Sequence, residues 1–111
     1  MKNYIVKFHV RPTDNSWWSS YRNESFTTHG QNITDAIELF IVHLETLGLD
    51  VSNYAAKHPE RMYTDTANGP QQIGYIFKAS TEIDNNGRWV RKYAEIWSEI
   101  NEIHIPQEFT A

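Results

Sequence analysis

The chain has no cysteine among its 111 residues, so it holds no disulfide framework, no thiolate nucleophile and no cysteine-based zinc or iron–sulfur site. Long apolar runs are missing too. No segment approaches the roughly 20 consecutive apolar residues of a membrane span, and Met1 to Val10 alternates polar and apolar residues where a secretory signal needs a continuous apolar core. These absences predict a cytoplasmic protein with no membrane association, in which the N-x-S/T sequons at Asn23 and Asn32 carry no glycan. Glycine is scarce. Gly30, Gly48, Gly69, Gly74 and Gly87 never fall at a phosphate-binding spacing, and each reads locally as a turn, a cap or a strand bulge. Basic residues number ten against fourteen acidic ones, and the net charge of −4 argues against general binding to a nucleic-acid backbone.

What is present is apolar and aromatic. Forty per cent apolar and fourteen per cent aromatic content excludes a disordered chain, and four Trp and six Tyr supply much area to bury. The length suits one core, so residues 1–111 are read as a single α+β domain. Charge is uneven along the chain. Residues 1–31 carry Lys2, Lys7, Arg11 and Arg22 against Asp14 and Glu24, whereas after Lys92 only Glu95, Glu99, Glu102 and Glu108 remain. An acidic strip of this kind is either a solvated face or an attraction for a basic partner.

The most informative stretch is residues 71–105, which folds on paper into one long β-hairpin. Pairing residues whose numbers sum to 173, across Asn86-Gly87, sets Ile73 against Ile100, Phe77 against Ile96, Ala79 against Ala94 and Ile83 against Val90 on one side. Lys78 then meets Glu95 and Glu82 meets Arg91 on the other. Asn-Gly suits a type I′ turn, because both central residues need positive φ. A competing reading makes residues 88–104 helical, since Trp89, Val90, Tyr93, Ala94, Ile96, Trp97, Ile100 and Ile103 also share one side of a helical wheel. Its charge order opposes the helix dipole, with Arg88, Arg91 and Lys92 at the start and Glu99 and Glu102 at the end. The strand reading is preferred and the helix kept as the alternative.

Elsewhere, Tyr4, Val6, Phe8 and Val10 alternate with Ile5, Lys7, His9 and Arg11 as in a half-buried strand ended by Pro12. A polar turn over Thr13 to Ser16 leads to a second strand between Trp17 and His29, with Phe26 its clearest core residue. Asn32 caps a helix over about residues 33–47, Asp35 completes the cap, and Gly48 supplies the left-handed stop. Its wide apolar face is Ile33, Ala36, Ile37, Phe40, Ile41, Leu44 and Leu47, with Leu39 and Val42 off that face. Residues 49–70 show little regularity beyond a short helical turn over residues 52–57, and so long a loop is unusual in a compact domain. The resulting expectation is a ββαββ domain, in which two hairpins form one antiparallel sheet and one amphipathic helix packs on one face.

The run Thr28-His29-Gly30-Gln31-Asn32-Ile33-Thr34-Asp35-Ala36 resembles the strand-to-helix junction of HicB-type antitoxins. The residues before it do not reproduce that family's strand, so the likeness implies a local geometry and nothing more. In its small, cysteine-free, aromatic and Asn-containing make-up the chain also resembles accessory proteins of phages and mobile elements.

Chemistry is sparsely signalled. The histidines at 9, 29, 43, 58 and 104 form neither His-x-x-x-His nor Glu-x-x-His, so no metal site is read from them. No serine lies in an elbow motif, and Glu82, Glu95 and Glu99 pair more simply with Lys78 and Arg91 than as a general acid and base. No cofactor and no catalytic residue is therefore assigned. The hairpin register instead leaves Ile76, Trp89, Arg91, Tyr93 and Trp97 on one face, a composition favoured at binding centres unless other segments cover it. Leu39 and Val42 offer a second contact. The reading is a non-enzymatic protein-binding module, either a homodimer or a small accessory or inhibitor protein of a phage or mobile element. The alternatives are a single-stranded nucleic-acid binder, for which the RNP-type aromatic motif is missing, and a small enzyme.

Overall fold

The computed structural model describes residues 1–13 and 24–104. Strands β1 (Lys2–Pro12) and β2 (Glu24–Gly30) come first, then helices α1 (Ile33–Thr46) and α2 (Asn53–Lys57), then strands β3 (Glu60–Thr66), β4 (Gly69–Asn85) and β5 (Arg88–Ile103). All five strands join one antiparallel sheet in the order β2-β1-β5-β4-β3. The expected ββαββ domain is overturned. An additional strand, β3, occupies the region read as irregular, the short helical turn expected over residues 52–57 is α2, and the helices are short accessories to a long sheet. The helical alternative for residues 88–104 falls as well, since Arg88–Ile103 is a strand.

β3 escaped notice for a physical reason. It is an edge strand in which only Met62 is half-buried, so its sequence carries no alternation of apolar and polar residues to read. The polar turn expected over Thr13 to Ser16 lies outside the described residues except for Thr13, as do Trp17 and Trp18.

β4 and β5 pair in the 173-sum register from Gly74↔Glu99 to Asn85↔Arg88. Asn86 and Gly87 have φ of 57° and 83°, the positive values a type I′ turn requires, and the Asp84 carboxylate accepts from the Gly87 N–H at 2.7 Å. The expected Ile73–Ile100 rung is not in this ladder. Ile73 is the extra residue of a bulge where the β3–β4 pairing shifts from Met62↔Gly74 to Tyr63↔Gln72. At Gly74 the chain passes so close to β5 that a Cβ would overlap the Ser98 carbonyl.

The sheet's helix-bearing face holds the core. Tyr4, Val6, Phe8 and Val10 of β1 lie beside Ala94, Ile96 and Ile100 of β5 and Phe77 and Ala79 of β4, capped by Ala36, Phe40, Leu44, Leu49 and Val51. The Phe8 and Phe40 rings meet edge to face, 5.0 Å between centroids. Burial of each such Phe stabilises the fold by about 1.5–3 kcal/mol.

Asn32 caps α1 by accepting from the Asp35 N–H at 3.1 Å, and the Asp35 carboxylate accepts from Gln31 N–H at 3.0 Å. The face α1 buries is narrower than its apolar pattern implied. Only Ala36, Phe40 and Leu44 are buried, while Ile33 and Leu47 are exposed, because α1 lies over β1 and β2 rather than across the sheet. Among the described residues no helix is long and apolar enough to cross a membrane.

Candidate interaction surface

Strand alternation sends every second residue to the face away from the helices. On β1 these are Asn3, Ile5, Lys7, His9 and Arg11, and on β5 their Cα partners are Ile103, Asn101, Glu99, Trp97 and Glu95. The next strand adds Ile76 beside Trp97 and Lys78 beside Glu95. No described helix or strand lies over this face. A column of cations on β1 thus stands beside a column of carboxylates on β5.

Trp97 is the centre of the surface. The Arg11 guanidinium sits 3.8 Å from the centroid of the indole, and the His9 ring stacks beside it at 6.1 Å and 23°. Arg11 Nε donates to His9 Nε2 at 2.8 Å, and Trp97 Nε1 donates to Glu95 Oε1 at 3.3 Å. Arg11 has only donors, so His9 Nε2 must be the unprotonated nitrogen and the neutral ring carries its proton on Nδ1. Burial, helped by the Arg11 charge, lowers the His9 pKa from its ordinary value and favours this neutral form. Beside the indole a shallow hollow of about 380 Å3 is lined by Lys7, His9, Glu24, Ser25, Met62 and Glu99.

The residues singled out from the hairpin share this face without forming one patch. Ile76 is buried against its neighbours and Trp97 is half-buried. Tyr93 and Arg91 lie farther along β5, and Trp89, 70% exposed, lies near the hairpin tip. Eight residues of strand place Trp89 roughly 26 Å from Trp97. Beyond Ala94 and Ser80 the hairpin has no further strand partner among the described residues, so residues 81–92 project as a two-stranded arm. Arg91 is held on that arm by Glu82 at 3.0 Å and by Ser80 at 2.8 Å, and Lys78 pairs with Glu95 at 3.8 Å. Leu39 and Val42 are exposed on α1, on the opposite side of the sheet from Trp97.

Comparison with protein-family models, with curated proteins and with solved structures finds no match.

Sequence reasoning missed Lys7, His9 and Arg11 as members of the site, together with Glu95 and Glu99 as their partners. The alternation in β1 already put the two cations and His9 on one face. What it did not show is that this face adjoins Trp97, because β1 and β5 are joined by no turn. His43 and His58 serve elsewhere. His43 stacks on Phe26 at 4.3 Å and 9° and meets the edge of Phe8, and His58 packs against Tyr54 at 4.5 Å. Among the described residues no group of three or more His, Asp and Glu side chains is placed to hold a metal ion.

Proposed function

We propose that this chain is a non-enzymatic protein-binding module whose contact surface is the sheet face around Trp97, away from the helices. The observation that carries the reading is the arrangement of that indole, held by Arg11, His9 and Glu95 on a face that no described helix or strand covers. A rigid, pre-oriented aromatic ring ringed by charges is the make-up of an energetically dominant contact residue, since little side-chain entropy remains to be lost on binding. The accessory or inhibitor role of a phage or mobile-element protein would be served by such a surface.

Two other readings meet specific obstacles. For His9 to act as a general base its free lone pair must reach a substrate proton, and Arg11 already occupies that lone pair. For a nucleobase to stack on Trp97 it must displace the Arg11 guanidinium from the ring.

The test is position-specific photo-cross-linking in living cells, with the photoreactive residue placed at Lys78 on the open face or at Glu45 on α1. Protein adducts from position 78 and none from position 45 support the reading. Adducts from neither position, or from position 45 alone, overturn it. A cross-link to nucleic acid at position 78 transfers the surface to the nucleic-acid reading.

A further inference from the structure

The two charged columns on the open face are complementary to each other, and this has a symmetry consequence. Lys7, His9 and Arg11 stand at the same heights along the strands as Glu99, Trp97 and Glu95. Consider two copies face to face, about 10 Å apart as packed sheets are. A two-fold axis parallel to the strands and midway between β1 and β5 lays β1 of one copy over β5 of the other, with heights unchanged. Lys7 then lies over the partner's Glu99, Arg11 over the partner's Glu95, and His9 over the partner's Trp97, with each contact made twice.

The competing axis, perpendicular to the strands through the His9–Trp97 row, lays β1 over β1. It brings Lys7 over the partner's Arg11 and Glu95 over the partner's Glu99, like charge on like charge. Electrostatics therefore selects one isologous arrangement and penalises the other. In the favoured arrangement Lys7, Arg11, Glu95 and Glu99 each lie between two opposite charges, one in its own sheet and one across the interface, which offsets the desolvation that buried charges otherwise suffer.

We infer that the partner of the open face is a second copy of this chain, in a two-fold dimer that sets the cationic β1 column against the acidic β5 column. The inference rests on the reading of that face as a contact surface and names its occupant. About this axis β2, β1, β5 and β4 overlie partner strands while β3 overhangs, so four strands about 4.8 Å apart and nine residues at about 3.3 Å give roughly 570 Å2 per copy, the size of a small, weak interface rather than the ~800 Å2 per partner of a standard one. The pairs are charged and lie at the surface, so the dimer is salt-sensitive.

The experiment uses charge-swapped chains. One variant carries Lys7→Glu with Arg11→Glu, the other Glu95→Lys with Glu99→Lys, and masses are read by sedimentation. The wild-type chain of 13.0 kDa is expected at twice that mass, about 26 kDa, at roughly 100 µM, a concentration chosen for the weak association of a small interface. Its dissociation constant should rise at least tenfold between about 0.1 and 1 M salt, as the Debye length falls from about 10 to 3 Å. Each variant alone should be monomeric with a retained strand circular-dichroism spectrum, and an equimolar mixture should form the dimer. A wild-type chain that stays monomeric, variants that dimerise alone as the wild type does, or folded variants that do not associate when mixed would each overturn the inference.

Either variant also places like charges across the β1–β5 seam and can lose its fold for that reason. The wild-type chain supplies the second measurement. Zero-length carbodiimide coupling of an equimolar mixture of 15N-labelled and unlabelled chains should give Lys7–Glu99 peptides of mixed isotope, and purely intrachain pairs would sink the proposal. Failure here is separable from failure of the contact-surface reading. A monomeric chain that still gives position-78 adducts with a foreign protein loses only the self-association, whereas a chain without such adducts loses both.

Discussion

The guanidinium of Arg11 lies 3.8 Å from the centre of the Trp97 ring, so the middle of the open face is assembled from the first strand and the last. This contact separates two tryptophans that composition treats alike. Trp97 rests under Arg11 and beside His9 and Ile76, whereas Trp89 is 70% exposed near the hairpin tip. Trp89→Ala should shift stability by less than about 0.5 kcal/mol, as surface changes do. Trp97→Ala should cost more than about 1 kcal/mol through lost packing and the lost cation–π contact. Urea denaturation followed by far-ultraviolet circular dichroism checks both, and equal costs would show that Trp97 is not held as described.

The His9 imidazole predicts a pH dependence. Burial first, and the Arg11 charge second, lower its folded-state pKa below the usual 6.5. As pH falls the unfolded chain takes up this proton earlier than the folded one. The His9 contribution is therefore full above about pH 6.5 and is lost as pH falls through the lower folded value. Urea midpoints measured from about pH 7.5 downward should decline, and His9→Gln should decline less steeply. Identical slopes in the two chains would refute the assignment.

Phe77 is fully buried, opposite Ile96 and 6.1 Å from the Phe40 ring. Phe77→Ala should cost about 3–5 kcal/mol. A loss below about 1 kcal/mol, the scale of an ordinary surface change, would contradict its place at the centre of the core.

Gly74 faces backbone rather than a yielding side chain, so the obstruction to a Cβ there is the Ser98 carbonyl itself. Gly74→Ala should cost about 3 kcal/mol, the upper end for overpacking. By contrast Gly69→Ala meets no atom within 4 Å and is strained only through its φ of 99°, so it should cost about 1–2 kcal/mol. The ranking of the two, read from thermal midpoints, is the check.

What was legible in the sequence was local. The β4–β5 register followed from Asn86-Gly87 and from rungs such as Phe77–Ile96 and Lys78–Glu95, because a two-residue turn fixes every pair beyond it. The α1 cap followed from Asn32 and Asp35 in the same way. The strand Glu60–Thr66 was not legible, since an edge strand with water on most of its surface has no pattern to impose. Nor was the meeting of β1 with β5. Its trace in the sequence was the excess of cations near one end and of carboxylates near the other, which becomes Lys7 beside Glu99 and Arg11 beside Glu95 once the strands pair. That asymmetry was read as a solvated face or an attraction for a basic partner, and the structure pairs part of it with the chain's own first strand.

The central place of β1 and β5 bears on how the chain acquires its structure. During synthesis the β1–β2 hairpin and α1 emerge with Val6 and Phe8 ready to be covered, yet the strand that completes the sheet around them, with Ile96 and Ile100, is made last. The early segments must wait with one strand edge unpaired and apolar side chains in water. Closing the seam then spans nearly the whole chain, the kind of long-range pairing that slows folding and exposes intermediates to aggregation.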